Sequence, residues 1–305
     1  REDGNIMKKR AVSVMLTAAM VSAMLAGCGS KNAETQSAAD TTAESAASGD
    51  ETSADTQAAD AETTDAETTD ASKTDGTFTV GFDQDFPPMG FVGDDGEFTG
   101  FDLEMAAEVA KRLNLMIAYQ PIAWDAKDME LDAGTIDCIW NGFTMNGRED
   151  DYEWSKPYMK NNQVFVVRGD SDINSEADLA GKNVEVQTDS SAEAALNDNS
   201  ELTSTFGSLT PVADYNTAFM DLESGAVDAI AMDDVVASYQ ITSRKADFKV
   251  LDDVIAAEEY GIGFKKGNTG LRDKVQATLE EMAADGTLAK ISTKWFGEDI
   301  TTIGK

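Results

Sequence analysis

The chain has 305 residues, 41% of them hydrophobic, with 57 acidic against 24 basic side chains, a formal net charge of -33, no histidine and two cysteines. That charge opposes a basic nucleic-acid-binding face. The absence of histidine, with only Cys28 and Cys138 as thiols, excludes a Cys/His zinc cluster and a Ser-His-Asp catalytic triad.

In chain order, Lys8-Lys9-Arg10 follow Met7 and precede an apolar run over 11–24, which ends in Leu25-Ala26-Gly27-Cys28. A basic start, an apolar stretch and a small-residue cleavage site make residues 1–27 an expected export signal. The run is shorter than the roughly 20 residues a membrane-crossing helix needs. Residues 28–76 hold two basic and twelve acidic side chains among Ala, Thr and Ser, with Ala-Glu-Thr-Thr-Asp repeated at 61–65 and 66–70. So little of this can be buried that a disordered acidic tether is expected, spanning on the order of 40 Å as a flexible coil.

From residue 77 short β-like runs alternate with helical patterns, the signature of α/β layering. The first strand covers 77–82. Phe101, Met105, Val109 and Leu113 follow a four-residue step that marks a helix from about 102 to 113, and a strand over 115–119 follows. Further strands are expected at 183–187, 227–232 and 260–264, and helices at 190–196, 217–224, 235–242 and 271–284. Cys138 lies in the apolar run Ile136-Asp137-Cys138-Ile139-Trp140 and reads as a small core residue rather than a nucleophile.

One internal repeat adds a register. Met129-Glu130-Leu131-Asp132-Ala133-Gly134-Thr135-Ile136-Asp137-Cys138-Ile139 matches Met220-Asp221-Leu222-Glu223-Ser224-Gly225-Ala226-Val227-Asp228-Ala229-Ile230 without a gap. Each copy reads as helix end, Gly stop and buried strand. Two copies suggest two similar lobes, since a solenoid needs at least three units. Open α/β sheets bind ligands at the carboxyl ends of their strands, and the register sets Gly142 of one copy on Asp233 of the other.

Several segments then carry a family resemblance. Val80-Gly81-Phe82-Asp83 through Phe86-Pro87-Pro88-Met89, Gly100-Phe101-Asp102-Leu103, Asn141-Gly142-Phe143-Thr144 with Arg148, and Trp154-Ser155-Lys156-Pro157-Tyr158 resemble the polar amino-acid-binding proteins of ABC importers. Asp285-Gly286-Thr287-Leu288 and Lys294-Trp295-Phe296-Gly297 extend the match over 77–297. The resemblance implies the type II periplasmic-binding-protein fold, two α/β lobes joined by two crossover strands. Lobe 1 would comprise 77–162 and 260–305, and lobe 2 would comprise 163–259. Leu25-Ala26-Gly27-Cys28 likewise resembles the bacterial lipobox, which implies cleavage before Cys28 and an extracytoplasmic protein anchored to the membrane by lipid on that sulfur.

The resemblance also implies a site for a free amino acid. Arg148 matches the arginine that holds the ligand carboxylate, a task suited to a guanidinium fork. Thr144 and the helix start at Ser190-Ser191 would add donors to that anion. Asp233 matches the acid that accepts from the α-ammonium, helped by the Gly142 carbonyl, and Phe86 and Trp124 match rings that sandwich the side chain. Asp83 either contacts a polar side chain or supports the turn at Phe86-Pro87-Pro88. Read without the resemblance, Arg148 could pair with a surface acid, and Asp233 and Ser190 could be helix caps.

No metal or cofactor is implied. The implied partners are the amino acid and a membrane ABC permease, with the folded part monomeric and no nucleic acid bound. Competing readings are a free-standing amino-acid sensor domain and a dehydratase-type enzyme on the same fold, with Glu97 or Glu104 as general acid. Two departures stand out. Asp189 occupies a position where the family usually has Gly, and the interval from Thr144 to Arg148 is one residue short.

Overall fold

The computed structural model describes residues 76–305. The expected export signal, the lipidation site Cys28 and all of the tether except Gly76 lie outside the described residues. The first group of elements is β1 (Thr77–Phe82), β2 (Asp85–Phe86), β3 (Gly90–Val92), β4 (Phe98–Thr99), α1 (Phe101–Arg112), β5 (Met116–Pro121), a 3₁₀ turn (Trp124–Ala126), α2 (Lys127–Ala133), β6 (Cys138–Thr144) and β7 (Glu153–Trp154). The long strand β8 (Met159–Arg168) leads to β9 (Asn183–Gln187), α3 (Ser191–Asp198), α4 (Ser200–Thr203), β10 (Ser208–Val212), α5 (Tyr215–Ser224), β11 (Ala229–Asp233) and α6 (Asp234–Arg244). The longer strand β12 (Phe248–Phe264) returns the chain to α7 (Thr269–Ala284) and α8 (Thr287–Phe296).

The main sheet runs β10-β9-β11-β8-β12-β6-β1-β5. On one side β5, β1 and β6 are parallel and β12 closes them antiparallel. On the other, β10, β9 and β11 are parallel and β8 closes them antiparallel. Each side therefore has the same strand order, and the two long strands pair with each other along their shared length. This is the fold of two α/β lobes joined by two crossover strands.

Both faces of the central strands are buried, as helices on both sides of a mostly parallel sheet require. In β6, Cys138 and Trp140 enter the largest core cluster while Ile139 and Phe143 enter a separate cluster with Leu131, Ile136, Tyr152 and Trp154. In β8, Val164 and Val166 face the large cluster while Phe165 and Val167 face a third with Leu179, Val184 and Leu196. Of the helical stripe noted in the sequence, Phe101, Met105 and Val109 are fully buried and Leu113 is packed at the margin.

The internal repeat maps onto α2-β6 and α5-β11. Gly134 and Gly225 are both left-handed helix C-caps, at φ 70° and 80°, a conformation that carries little steric cost only without a side chain. The repeated aspartate has one job in both copies. Asp137 N–H donates to the Thr79 carbonyl and its carboxylate accepts from Thr79 N–H at 2.7 Å. Asp228 N–H donates to the Asn183 carbonyl and its carboxylate accepts from Asn183 N–H at 2.9 Å. Each aspartate thus locks the third parallel strand of its lobe to the first.

Candidate ligand-binding site

A narrow cavity lies between the lobes, lined by Phe86, Trp124, Asn141, Gly142, Thr144, Arg148, Gln187, Ser190, Ser191 and Asp233. Eight of the nine residues singled out in the sequence are in this wall. Asp83 is the exception. It sits behind the wall, where its carboxylate accepts from Asp85 N–H at 2.8 Å, supporting the turn, and from Gln187 Nε2 of the opposite lobe at 2.7 Å. Burial pushes the Asp83 carboxyl up to about 6.

The anion end is built from both lobes. A turn closed by Arg148 N–H on the Met145 carbonyl follows β6, and it brings the guanidinium into the cavity wall despite the shortened interval. Arg148 lies over the Phe143 ring, Nη1 donates to the Thr144 carbonyl at 3.4 Å, and Trp154 Nε1 holds the turn by donating to the Arg148 carbonyl at 2.9 Å. The guanidinium therefore has no surface acid as partner among its hydrogen bonds. From lobe 2, Ser190 caps α3 by accepting from Glu193 N–H. The Ser191 and Ala192 N–H groups at the start of the helix have no intrahelical acceptors, and the positive dipole end lies toward the cavity. The Thr144 hydroxyl donates to Ser191 Oγ at 3.2 Å, directly across the cleft.

Asp189, the departure from the family pattern, takes the left-handed conformation at φ 59°. Its carbonyl accepts from Arg148 Nη2 at 3.2 Å, and its carboxylate is ion-paired to Lys127 of lobe 1. The negative charge is thus turned to a cation beside the anion end.

The cation end is centred on Asp233, which is 3% exposed. It stands at the N-terminus of α6 but makes no capping bond with its side chain. Its Oδ1 instead accepts from Asn161 Nδ2 at 2.9 Å, Gln163 Nε2 at 2.8 Å and the Tyr260 hydroxyl. The same two amides donate to Glu258 Oε1 at 2.8 and 2.7 Å. Burial, reinforced by the Glu258 carboxylate, holds the Asp233 carboxyl well above the usual range. A bound cation would relieve both effects.

Gly142 faces this end from lobe 1 at φ 58°. A Cβ there would come within 3.0 Å of the Phe86 ring and 3.1 Å of the Tyr260 ring. Its N–H donates to Asp102 Oδ2 at 2.6 Å, and the Tyr158 hydroxyl donates to the same oxygen at 2.8 Å. The Gly-Phe-Asp and Trp-Ser-Lys-Pro-Tyr motifs therefore hold the site without lining it. Burial pushes the Asp102 carboxyl up to about 7.

Asn141 lies in the strand-end segment that the repeat points to, whereas Gln163, Gln187, Glu258 and Tyr260 are not among the residues singled out in the sequence. Their signal is an interrupted apolar alternation, as in Lys160-Asn161-Asn162-Gln163 at the start of β8, where Asn161 and Gln163 are buried. The acids of the enzyme alternative lie elsewhere. Glu97 is exposed, and Glu104 accepts from Lys294 Nζ and Trp295 Nε1; neither lines the cavity.

Known proteins give the same architecture. The L-cystine-binding protein TcyJ of Escherichia coli is 34% identical over 228 residues, covering 74% of this chain and 84% of that protein. The L-cystine-binding protein TcyA of Bacillus subtilis is 33% identical over 227 residues, covering 73% and 82%. A crystal structure of an ABC uptake transporter substrate binding protein from Streptococcus pneumoniae with bound histidine superposes with a TM-score of 0.72 at 35% identity, covering 74% of this chain and 95% of that one. The profile of the bacterial extracellular solute-binding proteins, family 3, matches residues 78–298, most of the chain. With that extent of match, the chain belongs to this family of extracytoplasmic solute-binding proteins.

Proposed function

We propose that this protein captures a free polar or basic L-amino acid, or cystine, between its lobes and delivers it to an ABC permease. The observation that carries the reading is one cavity holding a guanidinium and a helix N-terminus together with a buried carboxylate. A zwitterion satisfies all three. Its carboxylate would lie toward Arg148, Thr144, Ser190 and Ser191, where charge-assisted hydrogen bonds are available from both lobes. Its ammonium would lie toward Asp233 and the Gly142 carbonyl. The side chain would pass between Phe86 and Trp124 toward Gln187, with Asp83 orienting that amide from behind. Because neither lobe holds the complete set, ligand favours the closed arrangement by contacts that only closure supplies.

In the same reading the mature protein begins at Cys28, is tethered by lipid on that residue, and works outside the cytoplasm as a monomer, with lobe boundaries inside β8 and β12. The relatives that bind cystine and histidine support the ligand class. A thermal-shift screen of the protein against the common amino acids and cystine tests it. A ligand at about 100 times its Kd adds roughly 2.7 kcal/mol of stability. If no member of that set moves the transition, the reading is wrong.

A further inference from the structure

Beside the anion end lies a second, open cavity, lined by Lys127, Arg148 and Asp189 with other charged side chains. Most of its charges have local partners. Asp128 accepts from the Tyr152 hydroxyl and Lys265 pairs with Asp132. Lys127 differs. Its side chain is only 2% exposed, it lies over the Trp124 ring, and the one carboxylate paired with it is that of Asp189, which is 51% exposed and belongs to the other lobe. Lys127 begins α2 in lobe 1, and Asp189 precedes α3 in lobe 2. Asp189 is held for the task. Its N–H donates to Glu193 Oε2 at 2.6 Å, its carbonyl accepts from Arg148, and it sits in a left-handed conformation that few residues with a side chain adopt.

We infer that Lys127 and Asp189 form a latch between the lobes, which stabilises the closed state and screens the bound anion from the Asp189 charge. In the closed state the ammonium is out of water, so its partner must be present. When the lobes part, both groups are hydrated and neither costs anything. Closure energy therefore comes partly from the protein's own charges and not from ligand alone. The two residues are also unequal. Without Lys127, an unpaired carboxylate stands next to Arg148 and opposes the incoming anion. Without Asp189, an unpaired ammonium remains there and attracts it.

The latch rests on the proposed closure around a ligand, but part of its test needs no ligand. Spin labels at Lys111→Cys of α1 and Glu201→Cys of α4, in the full chain with Cys28→Ser, report the distance between the lobes by dipolar spectroscopy. Without ligand, Lys127→Met and Asp189→Gly should each shift the distribution toward longer distances. Asp189→Gly suits the φ of that position, so its effect cannot be ascribed to backbone strain, and it serves alone if Lys127→Met does not fold. With an amino acid found in the screen, Lys127→Met should weaken affinity about fivefold, the upper end for an ion pair with one half-exposed partner. Asp189→Gly should weaken it less, and the double variant should bind more tightly than Lys127→Met. Distance distributions unchanged in both single variants would overturn the latch even if no amino acid binds. Equal losses of affinity in the two single variants would overturn the screening role.

Discussion

The two lobes use one scaffold to present opposite chemistry. In lobe 1 the repeat ends in β6 with Asn141, Gly142 and Thr144, and in lobe 2 it ends in β11 with Asp233. Up to that point the copies correspond residue by residue, including the aspartate that ties the third strand to the first. They diverge at the last residues of the strand, where the chain leaves the sheet and faces the cavity. Repetition marks what the sheet needs, and divergence falls on residues that line the cavity.

That contrast can be broken most directly at the two charges. Arg148→Ala and Asp233→Ala should each lower amino-acid affinity by about 100-fold or more, the scale for removing one side of a buried charge pair, with the circular-dichroism spectrum unchanged. Calorimetric affinity within threefold of the parent in either variant would remove that residue from the site.

A smaller effect separates the glycines. Gly142→Ala places a methyl group against the Phe86 and Tyr260 rings and should weaken binding about tenfold while costing roughly 1–3 kcal/mol of stability. Gly134→Ala and Gly225→Ala should cost about 1 kcal/mol each and leave affinity as it was. Chemical denaturation beside calorimetry distinguishes the two classes. The paired aspartates sharpen the same point. Asp137→Ala and Asp228→Ala should each lose about 1 kcal/mol, by similar amounts, with no change in Kd.

The smallest effect is on pH dependence. Asp83 and Asp102 are raised to about 6 and about 7 by burial, from an unfolded range near 4. The folded protein therefore binds more protons than the unfolded chain between those values, so ligand-free stability falls as pH rises from about 4 to about 7. Melting temperatures across that range should decline, and Asp102→Asn should flatten the slope. Affinity should move the opposite way, strengthening with pH, because the ammonium needs Asp233 ionised.

Much of this was legible in the sequence, for identifiable reasons. The repeat carries its own register, and motifs such as Gly100-Phe101-Asp102 combine a close backbone approach, a core ring and a buried acid in three consecutive residues. Asp233 ends β11 and Arg148 lies in the turn after β6; both were legible only through the family resemblance, since alone they read equally well as a helix cap and a partner of a surface acid. What was not legible depends on distant pairings. Of β12 only 260–264 reads as a strand, because the rest is half-exposed and interrupted by register shifts near Val254. The ring of Asn161, Gln163, Glu258 and Tyr260 around Asp233 comes from two strands, β8 and β12, and has no local pattern. Lys127 carries no local sequence signal, since its partner lies 62 positions away on the other lobe.

The 17-residue strand β12 also sets the order in which the molecule can be completed. The half built on β9, β10 and β11 is one uninterrupted stretch of chain, so its contacts form with modest loop closure. The half built on β1, β5 and β6 must wait for Tyr260–Phe264 to arrive as its closing strand, followed by α7 and α8. A chain emerging from its amino end therefore holds its first half as an unclosed sheet edge until nearly all of it has appeared. Slow, nonlocal docking of that strand is the expected rate-limiting event in folding.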